Sequence, residues 1–106
     1  MAKKVWDTLM MIFKASGLIS IINTRWEFFR TFAQEGENME EHIRKLRSLQ
    51  QTLHAMGELI SDQDFSNTLL TSLPKTWSMF ITAVNAGLPT LTSDTLIARI
   101  LEEYKS

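Results

Sequence analysis

Gly36-Glu37-Asn38-Met39-Glu40-Glu41-His42-Ile43-Arg44-Lys45-Leu46 opens the stretch around which the chain is organised. It continues through His54-Ala55-Met56-Gly57 to Leu69-Leu70-Thr71-Ser72-Leu73-Pro74-Lys75-Thr76-Trp77. Asn38 is a good N-cap, Glu41 stands three residues on in capping-box position, and Gly57 follows the last apolar residue as a C-terminal stop. These signals predict one bounded helix over 39–56. Projected at about 100° per residue, Met39, Ile43, Leu46, Leu49, Leu53 and Met56 share a stripe, whereas Arg44, Arg47, Gln51 and Ala55 fall elsewhere. The helix therefore has one buried face.

Working toward the C-terminus, Ser61 or Asp62 caps a short helix over about 62–72 with a narrow stripe of Phe65, Leu69 and Leu73. Pro74 ends it and suits the first turn of the next helix, 74–86, which carries Trp77, Phe80, Ile81 and Val84 on one face and Met79, Ala83 and Ala86 on the other. Gly87 and Pro89 break that helix. Thr92 or Ser93 then caps a last one with Leu96, Ile97, Ile100, Leu101 and Tyr104 as its apolar face.

Toward the N-terminus, Glu35-Gly36-Glu37-Asn38 is a polar turn. Before it, the spacing predicts a short helix over 3–14, a turn at Ser16-Gly17 and a second helix over 18–34. In that second helix Leu18, Ile19, Ile21, Ile22, Trp26, Phe28, Phe29, Phe32 and Ala33 cover close to half the circumference, where one core contact needs little more than about 100°. The surplus predicts burial on two sides. Arg25 lies inside the apolar arc and must find a carboxylate or snorkel along its edge. No stretch alternates with period two. The expected class is all-α, a compact bundle of about six short helices, with a soft boundary between a helical pair at 1–34 and a helical domain at 35–106.

Composition narrows function. A chain of 106 residues is one domain, or one small domain plus a piece of a neighbour, and its 44% hydrophobic content is enough for a real core. Its 11 basic and 12 acidic residues nearly cancel, so net charge offers no pull toward nucleic acid or an anionic membrane. It has no cysteine, which removes disulfides, thiolate nucleophiles and cysteine-held metal. The apolar run from Val5 is interrupted by Asp7 and Lys14 and fits neither a signal peptide nor a membrane span. The expectation is a soluble cytoplasmic protein.

No catalytic, cofactor or metal site is expected. His42 and His54, twelve residues apart on one helix, point in different directions and cannot share a metal. His42, in mid-stripe, reads either as a pH-responsive contact or, more simply, as a buried neutral imidazole with one hydrogen-bond partner. The adjacent pairs Glu40-Glu41 and Glu102-Glu103 diverge, and the first suits a helix N-terminus. No phosphate loop or nucleophile elbow occurs, and no small-molecule substrate is indicated. Arg30, Arg44, Lys45 and Arg47 form a modest basic set that reads as a candidate RNA contact or as a solvated face balanced by Glu40 and Glu41. The hydrophobic excess is more informative: Trp26, Phe28, Phe29 and Phe32, with Met79 and Ala83 on the fifth helix, read either as core or as a self-association surface.

Beyond these patterns, the ordered set Trp6-Asp7, Glu35-Gly36-Glu37-Asn38-Met39, His42-Ile43, Leu46, Leu53, Met56-Gly57, Ile60-Ser61-Asp62, Leu69-Leu70, Leu73-Pro74, Trp77, Phe80, Leu91-Thr92 and Leu101-Glu102-Glu103 resembles the Gag polyprotein of copia-type LTR retrotransposons along nearly the whole chain. The resemblance implies a capsid-forming protein without catalytic activity, with 35–106 similar to a capsid C-terminal lobe and 1–34 to the end of the preceding lobe or the connection. It implies a homodimer or higher assembly as the partner. In related capsids the helix here at 62–72 often makes a two-fold contact, but its outward residues Gln63, Ser66, Asn67 and Thr68 are polar, which shifts the expectation to the aromatic helix before residue 35. A copia-type Gag commonly carries a Cys-Cys-His-Cys zinc knuckle for RNA. These residues contain no cysteine, so the resemblance assigns them no RNA packaging. The alternative reading is a host-adopted adaptor domain that binds another protein's apolar helix or peptide in a groove.

Overall fold

The computed structural model describes residues 2–87 and 92–106. Among them are five α-helices and one 3-10 turn, with no strand: α1 Ala2–Arg30, α2 Met39–Ala55, α3 Asp62–Thr71, the 3-10 turn Lys75–Trp77, α4 Ser78–Gly87 and α5 Ser93–Lys105. The all-α expectation holds.

The expected break at Ser16-Gly17 is absent, and the first two predicted helices are one helix of 29 residues. A mid-helix glycine costs only about 1 kcal/mol relative to alanine and no proline follows it, so the apolar spacing on either side carries the helix through. The helix also stops earlier than predicted, at Arg30, leaving Phe32 and Ala33 in a non-helical connection. Ala33 N–H donates to Ser72 O at 2.8 Å, which ties this connection to the end of α3.

α2 begins as the sequence indicates. Asn38 Oδ1 accepts from Glu40 N–H at 3.0 Å and Glu41 N–H at 3.3 Å, a cap of a kind worth about 1 kcal/mol. At the other end Gly57 adopts φ +89°, Gly57 N–H reaches His54 O and Glu58 N–H reaches Leu53 O. These are the two bonds of a Schellman stop, and they need the left-handed conformation that glycine adopts without strain. Ser61 Oγ caps α3 through Asp64 N–H, and Thr92 Oγ1 caps α5 through Thr95 N–H. The expected role of Pro89 lies outside the described residues.

The core is built from the predicted stripes. Met39, Ile43, Leu46 and Leu53 of α2, Phe65 and Leu69 of α3, Val84 of α4 and Leu96 and Ile100 of α5 are buried together, and α1 adds Phe28. Leu73 joins them, while Trp77, Phe80 and Ile81 pack half-buried against their edge. Phe28 and Ala33, from the N-terminal side of the expected boundary, share this core with the residues after 38.

α1 extends well beyond the core. A 29-residue helix is about 43 Å long, and the molecule measures 67 × 29 × 17 Å. Its radius of gyration is 18.3 Å, against about 13 Å for a compact domain of this size. Residues 4–11 are exposed around the whole circumference, Val5, Trp6, Leu9, Met10 and Met11 included. The expected two-sided burial of the aromatic segment is therefore not met within one chain: Phe28 alone among its large side chains is fully buried. Arg25 finds its carboxylate, pairing with Glu58 at 2.9 Å while its guanidinium lies over the Phe29 ring.

Candidate self-association surface

The six residues expected at an interface separate in space. Phe28 is wholly buried, stacked on Phe65 at 6.1 Å and edge-on to Phe29 at 5.0 Å, so it belongs to the core and offers no surface. Trp26, Phe29 and Phe32 stay 60%, 44% and 58% exposed. Trp26 and Phe32 line a cleft of about 430 Å³ between α1 and the start of α2. Met79, 85% exposed, and Ala83 line a different cleft, walled by Phe80 of α4 and by Arg99 and Glu102 of α5. The aromatic cluster and the α4 face are two surfaces.

The basic set also divides. Arg30 stacks on the Trp26 ring at 4.9 Å and shares the first cleft with Lys45, where Glu27, Glu37 and Glu41 set three carboxylates against two cations. Arg44 and Lys45 are exposed at a neighbouring depression that again holds Glu27 and Glu41. Arg47 turns inward. It donates to Gln50 Oε1 at 2.9 Å, Ser93 Oγ at 2.7 Å and Asp94 Oδ1 at 3.0 Å, and it lies 4.0 Å above the Phe65 ring. Asp62 completes this group, accepting from both the backbone N–H and the hydroxyl of Ser93. Those two hydrogen bonds, with the Arg47 charge adding to them and burial opposing, hold the Asp62 carboxyl below its ordinary 3.8. The network pins α2, α3 and the start of α5 together, and it takes Arg47 out of any basic patch.

His42 is buried, as the simpler reading expects. Ser72 Oγ donates to Leu69 O at 2.6 Å and so accepts the His42 Nε2 proton at 2.8 Å. His42 Nδ1 lies 3.6 Å from the Glu37 carboxylate. Burial dominates and pushes the imidazole below its ordinary 6.5, opposed by Glu37 and helped by Lys45. His54, for which no role is expected, accepts the Ile60 N–H at 3.0 Å and so shapes the turn into α3.

Two expectations for α3 change. Gln63 and Asn67 face outward and bond each other at 3.1 Å, but Ser66 and Thr68 are buried. Thr68 returns its hydroxyl to Asp64 O, while Ser66 Oγ has no partner among the described residues. The outer face of α3 is thus narrower than its polar composition implies. Glu40, read as a partner for the α2 cations, instead reaches Lys105 at 3.3 Å and joins the start of α2 to the end of α5. No helix among the described residues is long and apolar enough to cross a membrane.

The arrangement is an all-helical body whose apolar surplus lies on an extended first helix. A family model of the gag-polypeptide of LTR copia-type matches residues 1–106. The chain belongs to this Gag family. No match was found among curated proteins or among solved structures. For a Gag chain, the features that sequence reasoning missed are the Arg47–Ser93–Asp62 network and the continuity of α1. The first joins residues 31 and 46 positions apart, with no local signal. The second was concealed by Gly17, which offers the glycine of a turn without the proline or polar cluster that confirms one.

Proposed function

We propose that this chain is a non-catalytic Gag assembly domain in the cytoplasm that self-associates and contributes to a capsid-like shell. The observation that carries the reading is the exposure of Leu18, Ile19, Ile22, Trp26 and Phe29 on α1, with Val5 and Leu9 also exposed nearer its N-terminus. Contiguous apolar surface beyond a few hundred Å² is uncommon on a monomeric protein and marks contact with another molecule. Met79 and Ala83, in their separate cleft, supply a second contact, and two distinct surfaces per chain are what an extended assembly needs.

The test is light scattering coupled to size exclusion across a hundredfold range of concentration, on the wild type and on Phe29→Glu. A dimer or larger species that dissolves in the variant at unchanged helicity is the expected result. A monomer in both at high micromolar concentration overturns the reading.

One observation favours a second reading, a host-adopted adaptor. Between α3 and α4 lies a groove of about 420 Å³ lined by Leu70, Leu73, Pro74 and Ile81, with Asn67 and Lys75 beside them. Its size suits a few side chains of an apolar peptide. Loss of peptide binding in Ile81→Glu, with self-association absent in the wild type, would favour the adaptor. RNA contact through Arg30, Arg44 and Lys45 has less support, since carboxylates interleave with these cations.

A further inference from the structure

We infer that α1 pairs with α1 of a second copy as an antiparallel two-helix coil, so that the two chains complete each other's exposed helix. The inference rests on the self-association reading above and specifies its contact.

The seam is written in the spacing of the exposed side chains. Val5, Thr8, Ile19, Ile22, Trp26 and Phe29 occupy alternate a and d positions of one heptad register, and in the sequence the same spacing runs through Ile12 and Ala15. At about 100° per residue the six fall within roughly 120° of one another. Phe28, the α1 residue anchored in the core, points to the opposite side. Two α1 helices can therefore meet along the seam with each helical body on the outside.

Area and charge identify the occupant. The apolar seam side chains are 44–62% exposed, and Leu9, Met11 and Leu18 flank them in the e and g positions. With an aromatic side chain worth some 150–250 Å², this surface is on the order of 800 Å² per chain, the size of a standard stable interface. The flanks carry three charges, Lys4, Arg25 and Arg30, all near the two ends of the helix. They also choose the direction. A parallel pair sets Arg25 of one chain against Arg30 of the other, a g-to-e contact between like charges on both sides of the coil. An antiparallel pair sends the arginines to opposite ends and opposes the helix dipoles. In the antiparallel register that nearly aligns the two helices end to end, Trp26 meets Thr8 and Phe29 meets Val5, so each aromatic side chain faces a smaller one. Trp6 and Met10 lie off the seam and stay exposed in such a pair.

The absence of native cysteine makes the test direct. Thr8→Cys and Leu18→Cys are prepared separately and treated with a short bis-maleimide. In the antiparallel pair Leu18 lies beside its own copy across the two-fold axis, whereas the two copies of Thr8 are about 27 Å apart. Efficient linking of Leu18→Cys, no linking of Thr8→Cys, and at least a tenfold loss of linking when Ile22→Glu is added are the expected results. Linking of Thr8→Cys instead overturns the direction. A dimer by light scattering that survives Ile22→Glu overturns the seam and leaves self-association standing through another surface. A wild-type chain that is monomeric at all concentrations removes the broader reading as well.

Discussion

Residues 4–23 are helical throughout and residues 39–87 and 92–105 largely so, yet different physics holds the two regions. In the second region α2, α3 and α5 each have a capping side chain and a buried stripe, and the stripes meet: Leu46, Leu53, Phe65, Leu69, Leu96 and Ile100 are fully or almost fully removed from water. In the first region Val5, Trp6, Leu9, Met10, Met11, Leu18, Ile19 and Ile22 are as apolar but face solvent, and Thr8 returns its hydroxyl to the Lys4 carbonyl of the same helix. Helix formation in isolation is marginal, and most helical stability in proteins comes from packing an apolar face. The contrast teaches that helix content and apolar content do not make a folded unit until the faces are closed. The bundle closes its own, whereas α1 is anchored by Phe28 and Arg25 at one end and leaves Val5, Leu9, Leu18, Ile19 and Ile22 exposed.

The largest break in this comparison comes from Phe65→Ala. It removes a fully buried ring that supports both Phe28 and the Arg47 guanidinium, and denaturant unfolding should show a loss of about 3–5 kcal/mol. A loss below about 1 kcal/mol would mean that the core is not centred there. The matching change on α1, Ile19→Ala, should alter monomer stability by no more than about 0.5 kcal/mol, because the side chain is exposed.

Next in size is Arg47→Met, which leaves Ser93, Asp94 and Gln50 without their donor. It should cost about 1–3 kcal/mol by the same measurement, with Arg44→Met within about 0.5 kcal/mol of wild type. Equal effects from the two would return Arg47 to the surface set from which the geometry removes it.

pH acts on the bundle through two groups. The folded-state value of His42 lies below the unfolded 6.5, so the unfolded chain binds the proton first. This contribution is complete above about pH 6.5 and is lost as pH falls below it toward the folded value. Asp62 is also depressed, below 3.8, and its contribution is present above that pH and lost as pH falls through the folded value. Unfolding free energy followed by urea titration should decline below pH 6.5 in the wild type and lose that limb in His42→Gln. An unchanged limb would assign it elsewhere. A small effect of the opposite sign, a gain, is expected from Gly17→Ala. An added methyl meets no atom within 4 Å, and the helix should gain about 0.5–1 kcal/mol of local stability, visible as increased helicity without a change in the bundle.

Much of the bundle is legible in the sequence because its determinants are local. Asn38, Gly57, Ser61 and Thr92 mark helix ends by their own chemistry, and the stripes of α2, α3 and α5 follow from spacing alone. His42 is legible as a buried imidazole for the same reason, whereas its partner Ser72, thirty residues away, is not. The aromatic surplus before residue 35 is also visible, but its disposition is not. Spacing places Trp26, Phe28 and Phe29 in one wide arc, and only the packing of α1 on α2 decides that Phe28 enters the core while its neighbours remain outside. The basic set fails likewise, because Arg47 leaves it for a carboxylate, a hydroxyl and a ring contributed by α3 and α5.

The central claim, that α1 is a helix completed by a second molecule while the bundle is complete in itself, is tested most directly by amide hydrogen exchange at two concentrations a hundredfold apart. Protection over residues 4–23 should rise with concentration while protection in α2 stays constant, since only the first region gains a partner. Equal, concentration-independent protection in both regions, or none in α1 at either concentration, would contradict it.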